Sequence, residues 1–278
     1  MKKIEFVLTS QHGGKRFLAD AIWKKHEAKK PVIILIHGFK GFKDWGCFNL
    51  MAEQWAEEGF LVVKPNFSMD GTTMDMPWEV TDMEAFSENT FTTELDDIGT
   101  AVDWIFDDDC PVPNVDLNNV HLVGHSRGGG MALLKTAEDP RIKKVVTWAS
   151  IPAITKLFSD DFIEKWKKNG IAHVINGRTG ESLPLKYKIV EDYYTNQDRL
   201  DIGKAIATLD VPILIIHGSE DETVPVKAAH YLHVKQPGSK MLIVEGAGHT
   251  FGGEHPYTKE SLPTHSQEIM RATTQFLR

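Results

Sequence analysis

A hydroxyl, an imidazole and a carboxylate recur along this sequence at places where they could act together on an acyl carbonyl. Ser126 stands in GHSRGGG (124–130), with Gly124 two residues before it and Gly128 two residues after. That spacing suits a serine carried on a sharp strand-to-helix turn, where the flanking positions must be small so that strand and helix can approach. A serine hydroxyl is a poor nucleophile at neutral pH. It needs a base within hydrogen-bond reach, a third group to orient that base, and donors for the developing oxyanion. With 22 glycines in 278 residues, the bare pattern is only modest evidence, so the partners must decide.

Partners are expected in the order acid, then histidine. GSEDETVP (218–225) offers Glu220, Asp221 and Glu222. Asp221, three residues past Gly218 and ahead of Val224-Pro225, is the preferred acid, and the other two read as a solvated acidic turn. VEGAGHTF places His249 just past an apolar run, in a loop that its glycines leave free to turn; His255 and His265 are the competing bases. The oxyanion donors would be the backbone N–H groups of Arg127, directly after the serine, and Phe39, in HGFKG (37–41). His37 reads as a structural hydrogen-bonding residue of that loop.

These residues need a scaffold that brings them to one edge. PVIILIHG (31–38), FLVVKPN (60–66), NVHLVG (119–124), KKVVTWAS (143–150), VPILIIHG (211–218) and KMLIVEG (240–246) are short apolar runs, the signature of strands buried on both faces. Amphipathic stretches at 49–59, 92–108, 127–139, 225–235 and 262–278 alternate with them as helices. Two half-alternating segments, 3–9 and 16–23, form an opening hairpin around QHGGK. The sum is an α/β fold, a mostly parallel, doubly wound sheet of about eight strands, in one domain spanning 1–278. Such sheets bind ligands beyond the carboxyl ends of their strands. About fifty residues, 153–203, interrupt the rhythm, with a short helix in DFIEKWKKNG and a hairpin around Asn176-Gly177. This stretch is expected to lie over one end of the sheet as a lid-like insertion. Met69, Met74, Met76, Pro77, Trp78, Met83 and Phe86, in the loop 66–91, are expected to wall a soft apolar pocket. The carboxylates of the same loop, Asp70, Asp75, Glu79, Asp82 and Glu84, would disfavour strongly anionic substrates unless they point to solvent.

Composition bounds the rest. Apolar residues make up 41% and charged residues 25%, ordinary for a globular protein, and the net charge is −8. Without a basic stripe, nucleic acid is not expected as a partner. No apolar run approaches the roughly 20 residues of a membrane helix. The first residues alternate like a strand rather than a signal peptide, so a cytoplasmic location is the default expectation. Cys47 and Cys110 make neither a CxxC pair nor a metal-spaced cluster, and no metal or cofactor is implied.

Taken together, HGFKG (37–41), GHSRG (124–128), GSEDETVP (218–225) and GAGH (246–249) resemble the α/β-hydrolase superfamily across nearly the whole chain. Within it, the chain is similar to the dienelactone-hydrolase-like and feruloyl-esterase-like branch of small serine esterases. HGFKGFKDWGCF, FSENTFTTELDD (86–97) and the insertion carry that likeness. The resemblance implies Ser126 as nucleophile, His249 as general base, Asp221 as its orienting acid, and the N–H groups of Phe39 and Arg127 as the oxyanion hole. Dienelactone hydrolases use a cysteine nucleophile; serine here points away from that lactone chemistry. The implied activity is hydrolysis of small or medium acyl, or aromatic, carboxylic esters through an acyl-serine. A thioesterase or peptidase with the same triad, or a non-catalytic binding protein of the same fold, is the alternative. The partner implied is a small-molecule ester, and the oligomeric state is not legible.

Overall fold

In a computed structural model describing residues 1–278, the apolar runs assemble side by side into one sheet. Its strands are β1 (Lys2–Thr9), β2 (Arg16–Trp23), β3 (Lys30–Ile36), β4 (Leu61–Pro65), β5 (Val115–His125), β6 (Ile142–Trp148), β9 (Ile213–Gly218) and β10 (Lys240–Val244). They lie in the order β1-β2-β4-β3-β5-β6-β9-β10. The first two strands form an antiparallel hairpin, and β2 joins β4 antiparallel. Every pairing from β4 to β10 is parallel. This is the mostly parallel, eight-stranded sheet with an opening hairpin that the sequence predicts.

The central strands are apolar along their length because each face has its own helical layer. On β3, Val32, Ile34 and Ile36 face one layer, while Ile33 and Leu35 face the other. The first layer holds α2 (Met83–Glu88), α3 (Phe91–Phe106), α4 (Arg127–Glu138), α7 (Ile202–Thr208) and α8 (Lys227–Lys235). The second holds α1 (Phe48–Glu57) and α9 (Thr264–Leu277). Each fully buried Ile or Leu of β3 contributes about 1.5–3 kcal/mol of apolar burial.

Between β6 and β9 the chain departs from the sheet. A 3₁₀ turn at Ile154–Lys156 leads to α5 (Asp160–Asn169), the antiparallel hairpin β7 (Ile171–Ile175) and β8 (Ser182–Lys186), and α6 (Lys188–Thr195). Gly170 ends α5 in the left-handed region at φ 73°, and Ser159 caps its start by accepting the Phe162 N–H. The hairpin expected around Asn176-Gly177 is present, its strands joined by a six-residue connection, 176–181. There the Gly180 N–H bonds the Asn176 carbonyl, and the Asn176 side chain accepts the Arg178 N–H. Asn-Gly therefore opens the turn rather than forming its centre. Lys186 pairs with Glu84 and Glu88, and Lys188 with Glu88, tying the hairpin to α2.

One buried base in the sheet makes a testable contribution. His121, midway along β5, is fully buried with both ring nitrogens unpartnered. Burial, reinforced by Lys144, pushes its pKa down to about 4. An unfolded chain protonates this imidazole near its ordinary value of about 6.5, so between the two values the unfolded state binds the extra proton. Stability therefore falls as pH is lowered through that window, by up to about 1.4 kcal/mol per unit. The variant His121→Val should lose less stability than the wild type between pH 6.5 and 4, seen as a narrowing shift in urea midpoint. Parallel pH dependences of the two midpoints would refute this.

Candidate active site

The turn between β5 and α4 carries Ser126 at φ 56° and ψ −121°, a left-handed conformation that costs a non-glycine residue about 1–3 kcal/mol. The surroundings hold it there. The Ser126 N–H donates to the Trp148 carbonyl at the end of β6 (2.8 Å), and the Ser126 carbonyl accepts from Gly129 N–H (3.0 Å). The flanking glycines are required by contact: a Cβ at Gly124 would lie 2.2 Å from the Gly128 carbonyl oxygen. One at Gly128 would lie 2.3 Å from that of His37. The serine oxygen is thus projected from the carboxyl edge of the sheet.

Two further loops converge on it. After β10, the turn through Gly246 (φ 70°) delivers His249, whose Nε2 lies 2.9 Å from Ser126 Oγ. Its Nδ1 donates to Asp221 Oδ2 at 2.8 Å. Asp221, after β9, accepts the backbone N–H groups of Thr223 and Val224 on its other oxygen, at 2.9 and 2.8 Å. Burial works to raise its pKa. Hydrogen bonds from His217, His249 and the Val224 N–H, with the nearby His249 charge, outweigh burial and hold the carboxyl well below the usual carboxylate range. It is therefore an anion suited to orienting an imidazole and stabilising its protonated form.

The competitors fall elsewhere. Glu220 and Glu222 are exposed and make no bond to His249. His255 Nδ1 accepts the Gly46 N–H at 3.1 Å, and its ring packs edge-on against Phe42. His37 is buried, with Nδ1 donating to the Gly38 carbonyl and Nε2 3.5 Å from Asp70.

Phe39 and Arg127 flank Ser126. Gly38 brings its loop against the serine, since a Cβ there would be 3.0 Å from Ser126 Cβ. The Arg127 N–H is the first of α4 and has no intrahelical acceptor. Its side chain does separate work: the buried guanidinium pairs with Glu94 and lies 4.1 Å from the centre of the Phe39 ring. Phe86 stacks on Phe39, 5.7 Å between ring centres. The loop after β3 is thus held through Phe39 by both Arg127 and Phe86.

Two histidines beside the site, at strand ends, had no role assigned from the sequence. His125 Nε2 donates to the His249 carbonyl (2.9 Å), and burial together with the neighbouring His249 pushes its pKa down to about 3, so it is a neutral strut under the histidine loop. His217 Nε2 donates to the Val224 carbonyl at 2.7 Å and lies 3.2 Å from Asp221 Oδ2. Their position immediately before the serine, and before Gly218 at a strand end, is the only sequence signal they give.

Two cavities meet at Ser126, Phe39 and His249. The smaller, about 120 Å³, reaches toward Trp45, Phe48 and Thr250. The larger, about 980 Å³, runs under Ile151–Leu157 and along the start of α8. The methionines of the loop 66–91 line neither. Met74 and Trp78 point to solvent, and Phe86 acts through Phe39. Nor do that loop's carboxylates reach the cavities. Asp70 accepts the N–H groups of Phe67 and Thr72, Asp82 caps α2 and pairs with Lys15, and Glu84 pairs with Lys186. The expectation that they disfavour strongly anionic ligands is therefore overturned. No group of three or more His, Cys, Asp or Glu side chains is arranged to hold a metal, and no helix is long and apolar enough to cross a membrane.

A family model described as BD-FAE matches residues 21–236, from β2 to just past α8. The chain belongs to the BD-FAE family. The match takes in the HGFKG loop, the serine turn and Asp221, and stops short of His249. The BD-FAE chain superposes on Est1E of Butyrivibrio proteoclasticus, solved with ferulic acid bound, with a TM-score of 0.73 at 21% identity. That superposition covers 98% of this chain and 97% of Est1E. Among curated sequences it is 33% identical over 157 residues to a pimeloyl-[acyl-carrier protein] methyl ester esterase of Neisseria meningitidis, covering 46% of this chain and 61% of the esterase. It is 26% identical over 176 residues to an uncharacterized protein of Mycobacterium tuberculosis, covering 49% and 52%. The BD-FAE chain spans about half the length of the curated relatives it matches first.

Proposed function

We propose that this protein is a serine esterase that cleaves carboxylic esters through an acyl-Ser126 intermediate. The observation that carries the reading is the unbroken chain of hydrogen bonds from Ser126 through His249 to Asp221, at 2.9 and 2.8 Å. Ser126 Oγ adds to the ester carbonyl as His249 Nε2 takes its proton. Asp221 keeps the other ring nitrogen protonated and stabilises the imidazolium. The tetrahedral oxyanion rests on the N–H groups of Phe39 and Arg127. As it collapses, His249 gives its proton to the leaving alcohol. Water, activated by the same imidazole, then releases the acid and restores the serine.

Membership of the BD-FAE family and the likeness to esterases support ester over amide chemistry. The unequal cavities support an ester with one small part and one medium or aromatic part. The segment 153–203 is read as a lid, because its first residues roof the larger cavity.

The test is labelling with an alkyl fluorophosphonate, followed by rates on matched ester, thioester and amide substrates. The expected result is one label per chain and fastest turnover of the ester. Absence of label on the folded protein would remove the acyl-serine reading, and faster thioester cleavage would replace the esterase with a thioesterase.

A further inference from the structure

The larger cavity has a charge bias that ester hydrolysis alone does not require. Lys40, Lys156 and Lys227 all line it, and no aspartate or glutamate does. None of the three forms an ion pair; Lys40 Nζ instead donates to the Ile175 carbonyl at 2.9 Å. The fourth cation of the wall, Arg127, is already paired with Glu94. The nearby carboxylates Glu220 and Glu222 stand outside the lining, and Asp221 is bound by His249. Three lysines without a carboxylate partner around one concavity are unexpected in a chain of net charge −8.

Their origins make the bias more than a surface accident. The three come from separate elements: the loop after β3, the insertion, and α8. Lys227 is the first residue of α8, which has no acidic residue in its first turn. A cation there opposes the helix dipole, which favours anions at that end. A position that breaks a local stability rule is where a binding role is expected. A concave wall bearing charges of one sign focuses field on its contents and raises the local concentration of opposite charge.

We propose that the larger cavity selects esters whose larger part carries an anionic group, a carboxylate or a phosphate, held by Lys40, Lys156 and Lys227. The smaller cavity takes a small uncharged part of one to a few carbon atoms. This deepens the esterase reading and rests on it.

Two substrate pairs test the charge and assign its half. The first is monomethyl against dimethyl adipate. The second is the acetyl ester of 6-hydroxyhexanoate against that of 6-hydroxyhexanamide. In at least one pair the anion should be favoured about tenfold in kcat/KM at low ionic strength, through KM. The preference should shrink in about 0.5 M salt, where screening falls to a few ångströms. In Lys156→Ala/Lys227→Ala the anion-to-neutral ratio should fall toward one, and Lys227→Glu should lower it as well. Circular dichroism spectra and urea midpoints matching the wild type would verify that each variant is folded. Turnover of the neutral esters with no anion preference in either pair would overturn this proposal and leave the esterase intact. Labelling without turnover of any of the four would also overturn it alone. Neither label nor turnover would overturn the esterase reading, and this one with it.

Discussion

Replacing Ser126 with alanine should lower kcat on the best ester by about a millionfold, the scale on which serine hydrolases lose activity when the nucleophile goes. The reason is local. No other hydroxyl, thiol or amine stands within hydrogen-bond distance of His249 Nε2, whose partner is Ser126 Oγ alone. What remains would be the modest acceleration from bound substrate, oxyanion donors and a water activated by His249. The fold should survive, because the turn is held by the Ser126 backbone bonds to Trp148 and Gly129 rather than by the hydroxyl. Steady-state rates and fluorophosphonate labelling, with circular dichroism as the folding control, give the answer. A variant retaining even one per cent of wild-type turnover would mean that the acyl group is carried elsewhere.

Gly128→Ala is expected to have a large effect on stability. The new methyl would sit 2.3 Å from the His37 carbonyl oxygen and 2.7 Å from that of Ile36, both backbone atoms with no rotamer to yield. Relief would require α4 to move away from β3, parting the serine from the loop that carries Phe39. A loss of about 3 kcal/mol or more, at the upper end for overpacking, is expected in chemical denaturation, together with slower labelling at Ser126. Gly99→Ala gives the contrast. Gly99 lies within α3, and its added Cβ would meet only the flexible end of Lys135, at 3.0 Å from Nζ. Alanine is favoured over glycine in a helix interior by about 1 kcal/mol, so this change should be neutral or mildly stabilising. Equal denaturation midpoints for the two variants would contradict the close-approach argument.

The contrast between these glycines shows what the sequence could reveal. GHSRG was readable because a backbone conformation and two close contacts each demand a particular residue. The parallel strands were readable for a similar reason: VIILI and ILII have no polar position to spare for a wet face. Legibility failed where the cause was tertiary. The loop 66–91 was read as a methionine-lined wall, but Phe86 alone comes near the site, and only through Phe39. The short helix α2 within that loop was missed, although Asp82, whose side chain accepts the Ala85 N–H, is a cap that could have marked it. Asp201 marks α7 in the same way, by accepting the Lys204 N–H. The lysines around the larger cavity carried no signal, since three cations scattered between residues 40 and 227 look like ordinary surface until the fold gathers them. Ser126, Asp221 and His249 are also scattered along the sequence. They were found because each follows an apolar strand, and parallel strands deliver their carboxyl ends to one edge.

The excursion between β6 and β9 has an evolutionary consequence. Ser126, Asp221 and His249 hang on strand ends whose geometry the whole sheet enforces, whereas Ile151–Leu157 reach the cavity from a segment that adds no strand to that sheet. Its hairpin buries Leu183 and Leu185 in the same apolar layer as Phe86 of α2, and Lys186 pairs with Glu84 and Glu88 at the margin. On the proposed reading, the bond-breaking groups sit on strand ends, while one wall of the ligand cavity is written on a separate stretch of chain. A lineage can rewrite the second by substitution, shortening or extension without disturbing the first. Descendants of such a protein should diverge in what they hydrolyse well before they diverge in how they hydrolyse it.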